Sequence, residues 1–298
     1  MSILEPEVLD TTTKISDLVD SIMTIAKSTA DPKPELRLFL DLEGVNLSRE
    51  GTISIVTLLV DPGDAKDHRT YLIDVTTLGS RAFDTKGPVH DTTFKDVLQD
   101  PNIIKVLFDV RNDSDAMYSH YGVALENVRD IQLMENGARS TGRTYLCGLQ
   151  RCIDESSWAL RHLYKESGDT FREELIDRWN CIKQIGAQLF KPELGGGYEV
   201  FDQRPLSKAM VEYCVGDVVI LPMLHDFFWE PRKQEWRDLI AKKSMERVEE
   251  SQSEDYQPNG FHKAKSQWTW EEHAALNGLG YVRIDHRFDG LRIDWGWD

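Results

Sequence analysis

No stretch of the 298 residues approaches the roughly 18 uninterrupted apolar side chains of a membrane-spanning helix. The longest apolar run, Ile53 to Val60, is broken by Ser54 and Thr57. A membrane span is therefore excluded. The first 30 residues also lack a basic start followed by an apolar core, so they form neither a secretory signal nor an Arg-rich transit peptide, and an intracellular location, cytoplasmic or nuclear, is expected. Cysteine is scarce. Cys147, Cys152, Cys181 and Cys214 are too few for a disulfide framework and match no zinc-ligand spacing, so reduced thiols are expected. Positive charge is short too: 35 Lys and Arg face 51 Asp and Glu, and the resulting net charge of -16 excludes a basic nucleic-acid coat. What is present, 40% hydrophobic and 29% charged residues, suffices to bury a core and excludes a disordered chain.

Three zones follow one another. Residues 1–34 are acidic, with an apolar helical spacing at Ile15, Leu18, Val19, Ile22 and Ile25 that predicts a helix ending before Pro32 and Pro34. Residues 35–232 are dense in structure. Leu36 to Leu42, Gly51 to Val60 and Arg69 to Val75 read as strands whose short connections suit an antiparallel meander. A helix at Thr93 to Gln99, an apolar run Ile103 to Phe108, a helix Ser114 to Tyr121 and a short run Val128 to Leu133 then indicate a parallel βαβ unit. Long amphipathic helices are expected at Phe171 to Phe190 and Leu206 to Phe228. Residues 233–298 form a charged C-terminal extension carrying Trp268, Trp270, Trp295 and Trp297; its acidic Glu246 to Asp255 segment reads as a linker or a surface wrap.

Chemistry-bearing residues stand at three places. Asp41 and Glu43 close the first strand two residues apart and so project from one face, where their repulsion makes sense around a divalent cation. Solvated acids at a strand end are the plainer alternative. Asp109, Asp113 and Asp115 follow the buried run Ile103 to Phe108, where Asp113 or Asp115 equally fits a helix N-cap. Tyr213 and Asp217 lie one helical turn apart, a spacing that by itself occurs by chance.

In this order the three places resemble the DEDD superfamily of 3'-5' exonucleases, in the Tyr-containing branch with ribonuclease D, Rrp6-like and Werner-type exonuclease domains. Asp41-Leu42-Glu43-Gly44 is similar to the first motif, Lys105 to Asp113 with Gly122 nine residues on to the second, and Arg204-Pro205-Leu206 through Tyr213 to Asp217 to the third. The resemblance covers residues 36 to 230. It implies an α/β, ribonuclease H-like fold: a five-stranded mixed sheet, strands one to three antiparallel, with helices on both faces. It implies two Mg²⁺ or Mn²⁺ ions held by Asp41, Glu43, Asp113 and Asp217, with Tyr213 orienting the attacking water and single-stranded RNA or DNA as partner. By the same resemblance Val45, Asn46 and Leu47 adjoin the 3' nucleotide, and Asp109 and Arg204 are candidates for the substrate site.

Departures accompany the match. Asp109 replaces a small polar residue, Phe201 stands where relatives tend to have Trp, and the C-terminal part does not resemble the helical module that follows the nuclease in ribonuclease D. Between residues 139 and 165 Arg139, Arg143, Arg151, Arg161 and Lys165 outnumber Asp154 and Glu155, with Tyr145, Trp158 and Tyr164 interleaved, which fits a substrate track and equally a solvated helical surface. The competing expectation is a nuclease-fold adaptor that binds RNA or protein without cutting.

Overall fold

The structure, a computed structural model, describes residues 6–30, 35–167 and 170–279. Pro32, Pro34, Trp295 and Trp297 lie outside them, as do the side chains of Tyr164 and Lys165. The chain enters through a short strand β1 (Glu7–Leu9) and helix α1 (Thr12–Ala26), which the Thr11 hydroxyl caps by accepting from Lys14 N. Strands β2 (Arg37–Glu43), β3 (Ile55–Asp61) and β4 (Arg69–Asp74) make the antiparallel meander. Helix α2 (Phe94–Gln99), opened by a Thr93/Asp96 capping box, leads to β5 (Ile104–Leu107), helix α3 (Val110–Tyr121) and β6 (Val128–Asp130).

These strands form one sheet in the order β1-β4-β3-β2-β5-β6, in which β3 alone runs against the other five. The sheet is thus mixed, as expected, but six-stranded. The added edge strand comes from the acidic N-terminal zone: β1 lies parallel to β4, with Val8 opposite Leu72, while α1 buries Ile15, Leu18, Val19, Ile22 and Met23. Three residues are too short for a periodicity to be read, so only the neighbouring strand reveals this one.

Alternation in β2 divides the interior. Leu38, Leu40 and Leu42 face a core shared with α1, α2 and α3. Phe39 faces the other core, which also takes in Val106 and residues of helices α4 (Ile131–Ala138), α5 (Leu149–Ser167), α6 (Thr170–Phe190), α7 (Lys208–Val219) and α8 (Leu221–Trp229). Each fully buried Leu, Val or Phe contributes about 1.5–3 kcal/mol, so both faces are strongly anchored. Asp41 and Glu43 share the face of Phe39, which points them toward α7. The expected single helix Leu206 to Phe228 is two: α7 ends at Val219 and Pro222, which has no N–H to donate, opens α8. All four cysteines are free, and three are buried. Among the described residues no helix is long and apolar enough to cross a membrane.

The acidic segment read as a linker or a surface wrap is mostly helix. α9 (Gln234–Gln252) packs on α3, β6 and α4 and buries Trp236, Ile240, Ser244, Val248 and Ser251. Its Arg247 is 1% exposed and donates to Asp130 Oδ2 at 2.7 Å and to Gln132 Oε1 at 3.0 Å. Charge count hid the packing face, because the acids Glu249 and Glu250 point outward between the buried positions. Beyond α9 the chain turns back over α3, and helix α10 (Trp270–Gly278) ends the described part.

Candidate active site

Three elements converge. β2 supplies Asp41 and Glu43, α7 supplies Asp217, and one oxygen from each lies within 4.8 Å of the other two. Asp113, in the first turn of α3, is buried beside them and adds its charge to Asp41 and Glu43. Gly44 follows Glu43 because the chain must turn there against its neighbour: a Cβ would lie 2.0 Å from Thr52 O.

These four carboxylates, Asp41 and Glu43 half-buried and Asp113 and Asp217 buried, resist ionisation. Burial, then the Asp217 charge, pushes Asp41 up to about 8. Burial followed by the Asp41 charge drives Glu43 and Asp113 well above the usual carboxylate range, and burial raises Asp217. Lys183 opposes three of these charges. Lys183 on α6 donates to Asp217 Oδ2 at 2.5 Å and lies 3.6 Å from the Tyr213 ring centroid. The other oxygen, Asp217 Oδ1, is buried with no hydrogen-bond partner among the described residues. That orphaned acceptor and the surplus of like charge fit a divalent cation, and an all-oxygen donor set is the kind Mg²⁺ and Mn²⁺ take.

Tyr213 sits one turn before Asp217, packed between Phe190 and Phe201. Its ring lies so close to α6 that a Cβ on Gly186 would come within 2.1 Å of Cδ2. Burial, and then Glu43, pushes its phenol far above the ordinary tyrosine value, so it remains an O–H donor.

The remaining candidates separate. Val45 and Leu47 are half-buried and Asn46 is exposed, in a turn that directly continues from Glu43. Arg49 clamps this turn to α3 and to the end of α9, donating to Asp115 through its backbone N and Nε and to the Ser251 and Ser253 carbonyls through Nη2. Asp109 is turned to a different task. In the left-handed region at φ 61°, it donates its N–H to Asp130 and pairs twice with Arg111, at 2.5 and 2.7 Å. Burial opposes its ionisation, but Arg111 and Arg247 prevail and hold it at about 2.

Arg204 is likewise engaged away from the carboxylates. It grips Asp74 at 2.6 and 2.7 Å and donates to the carbonyls of Ser54, Phe201 and Gln203, tying the loop before α7 to the sheet. The basic track is not an open row of charge: Arg139 pairs with Glu135, Arg151 with Glu155 and Arg161 with Asp177, and Arg143 is buried against Asn277. Lys183 and Lys263 are the residues that sequence reasoning missed. Lys263 donates to Asn112 Oδ1 and lowers the pKa of the neighbouring Asp113. Neither lysine belongs to a local pattern that could have marked it.

A family model described as 3'-5' exonuclease matches residues 12–231. The piRNA biogenesis protein EXD1 of Mus musculus is 33% identical over 103 residues, 35% of this chain and 16% of that protein. The chain thus spans about a sixth of the length of the curated relatives it matches. Among solved structures, Trypanosoma brucei RNase D superposes with a TM-score of 0.59 at 19% identity, covering 94% of this chain and 84% of that one. Escherichia coli RNase D, an exoribonuclease involved in structured RNA processing, gives a TM-score of 0.50 at 16% identity, covering 84% of this chain and 51% of that one. The fold is shared with these nucleases.

Proposed function

Because the chain belongs to the 3'-5' exonuclease family, we propose that it is an active, metal-dependent enzyme that releases 5'-mononucleotides from the 3' end of single-stranded nucleic acid, RNA before DNA. The observation that carries this reading is the meeting of Asp41, Glu43 and Asp217 within 4.8 Å, with Asp113 beside them. In this reading Asp41, Glu43, Asp113 and Asp217 would hold the divalent ions. Bound cations would supply Lewis-acid charge to the phosphoryl and leaving oxygens of the scissile bond. The chain's own groups do the positioning. Tyr213 donates its O–H to orient the attacking water, the turn Val45 to Leu47 borders the terminal nucleotide, and Arg204 and Asp109 brace the backbone that carries Asp217 and Asp113. The preference for RNA draws support from relatives: Trypanosoma brucei RNase D has been solved in complex with RNA U12, and the mouse relative is named for piRNA biogenesis.

The test is hydrolysis of 3'- and 5'-labelled RNA and DNA strands with Mg²⁺, Mn²⁺ or a chelator, beside Asp41→Asn and Asp217→Asn. Expected are shortening from the 3' end, arrest by a 3'-phosphate, loss of activity in both variants, and loss of the thermal upshift that metal gives the parent. Unaltered cleavage by both variants would sink the assignment. Lys183 favours a second reading, an adaptor that binds RNA or protein without cutting, since its ammonium already neutralises Asp217. Absence of any cleavage with retained strand binding would establish that one instead.

A further inference from the structure

Two segments distant in sequence run side by side next to the acidic site. Residues 139–146 lie between α4 and α5, and residues 256–268 form a strap after α9. Leu146 N donates to Ala264 O and Ser266 N to Thr144 O, both at 2.9 Å, and Tyr145 and Lys265 form an antiparallel bridge between them. On its inner side the strap is fixed to the start of α3. The Tyr256 hydroxyl donates to Asn112 Oδ1 at 2.8 Å, Lys263 donates to the same oxygen, and Arg111 Nη2 donates to Lys263 O at 3.0 Å. Asn112 directly precedes Asp113.

The outer side carries aromatic rings in water. Phe261 is 69% and Tyr145 52% exposed, their centroids are 6.2 Å apart, and Lys265 Nζ stands 5.6 Å from the Phe261 centroid. Such exposure of two neighbouring rings on opposite segments loses apolar burial and serves no packing purpose here. Residues 139–146 and 256–268 contain Arg139, Arg143, Lys263 and Lys265 and no acid, in a chain whose net charge is -16. Arg139 is taken up by Glu135, Arg143 is buried and Lys263 faces Asn112, so Lys265, exposed beside Phe261, is the group positioned to meet a phosphate. Phe261 is two residues from Lys263, a chain span of at most about 7 Å, so its backbone lies close to the residue that fixes the strap to Asn112, the neighbour of Asp113 in sequence.

We propose that this strap is a stacking platform: bases of a single-stranded RNA lie on Phe261 and Tyr145 as the strand leads away from the carboxylates, with Lys265 meeting a phosphate. The direction of the strand rests on the exonuclease reading; the platform itself does not. Stacking suits it because every base offers a π-face, so the platform accepts any sequence.

The experiment is fluorescence anisotropy of a 5'-labelled oligouridine with the full chain in chelator, for the parent, Phe261→Ala, Tyr145→Ala, Phe261→Trp and Lys265→Ala. Hydrolysis of a dinucleotide with Mn²⁺ is measured alongside. Each alanine at an aromatic position should weaken binding by about tenfold, and Phe261→Trp should restore it. Lys265→Ala should reduce the slope of log affinity against log salt by about 0.7. Dinucleotide hydrolysis should keep the parent rate. Parent affinity in a Phe261→Ala/Tyr145→Ala variant would overturn the platform, as would a parent that binds no single strand; that face would then be left to a protein partner. A parent that binds through the two rings yet cuts nothing upholds the platform and refutes the nuclease reading. A parent that cuts from the 3' end with affinity indifferent to both rings does the reverse.

Discussion

Arg247→Met tests whether the C-terminal helix α9 is part of the nuclease fold. Arg247 is 1% and Asp130 0% exposed, and they meet at 2.7 Å. Asp130 also accepts the backbone N–H groups of Asp109 at 3.0 Å, Val110 at 3.2 Å and Gln132 at 2.9 Å, so one carboxylate organises the left-handed turn into α3. Methionine fills similar volume without charge and leaves that carboxylate buried with no cation in contact. Removing one partner of a buried pair costs about 3–5 kcal/mol. Three further contacts, to Gln132, Gln267 and Asp109, are lost with it, which places the expected loss in the upper half of that range. Stabilities of native proteins are about 5–15 kcal/mol, so the variant would approach the limit of folding. Urea unfolding followed by tryptophan fluorescence measures the change, with Arg247→Lys, which keeps the charge but not the planar fork, expected to lose less than half as much. Amide exchange at Asp109 and Val110 should rise in Arg247→Met. A loss within about 0.5 kcal/mol, the scale of an exposed substitution, would refute the reasoning and leave α9 a peripheral addition.

Two further outcomes concern Tyr213. Tyr213→Phe should retain fold and metal binding yet lose kcat by about 10²-fold with KM nearly unchanged, because only the donor to the attacking water is removed; a parent rate would make the ring a packing group. Gly186→Ala should lower both stability, by about 1–3 kcal/mol, and kcat, because the new methyl meets the Tyr213 ring. In an uncrowded helix the same change raises stability by about 0.5–1 kcal/mol, so the sign of the shift in a melting curve decides.

Local periodicity made the ingredients of the site legible. A repeat of two places Asp41 and Glu43 on one face of β2, and a spacing of four places Tyr213 above Asp217 on α7, whatever the rest of the chain does. The strands of the meander and the βαβ unit were readable for the same reason, as runs of apolar residues bounded by turn formers. Other features were decided only when the sheet assembled. Asp217 reaches Asp41 and Glu43 because α7 packs across β2, β3 and β4, and Lys183 reaches Asp217 from α6 across an inter-helix contact. Arg204, in the third motif, and Asp109, a departure within the second, were candidates for the substrate site, yet their charges are taken up by Asp74 and Arg111. Arg247 sits in a segment whose acids suggested a linker or a surface wrap, and β1 is a strand only because β4 offers it an edge. Chain order sets which side chains share a face within one element; it does not set which buried charge finds which partner across two. A buried ion is tolerable only where the whole fold brings it a counter-charge, and that pairing belongs to the tertiary structure.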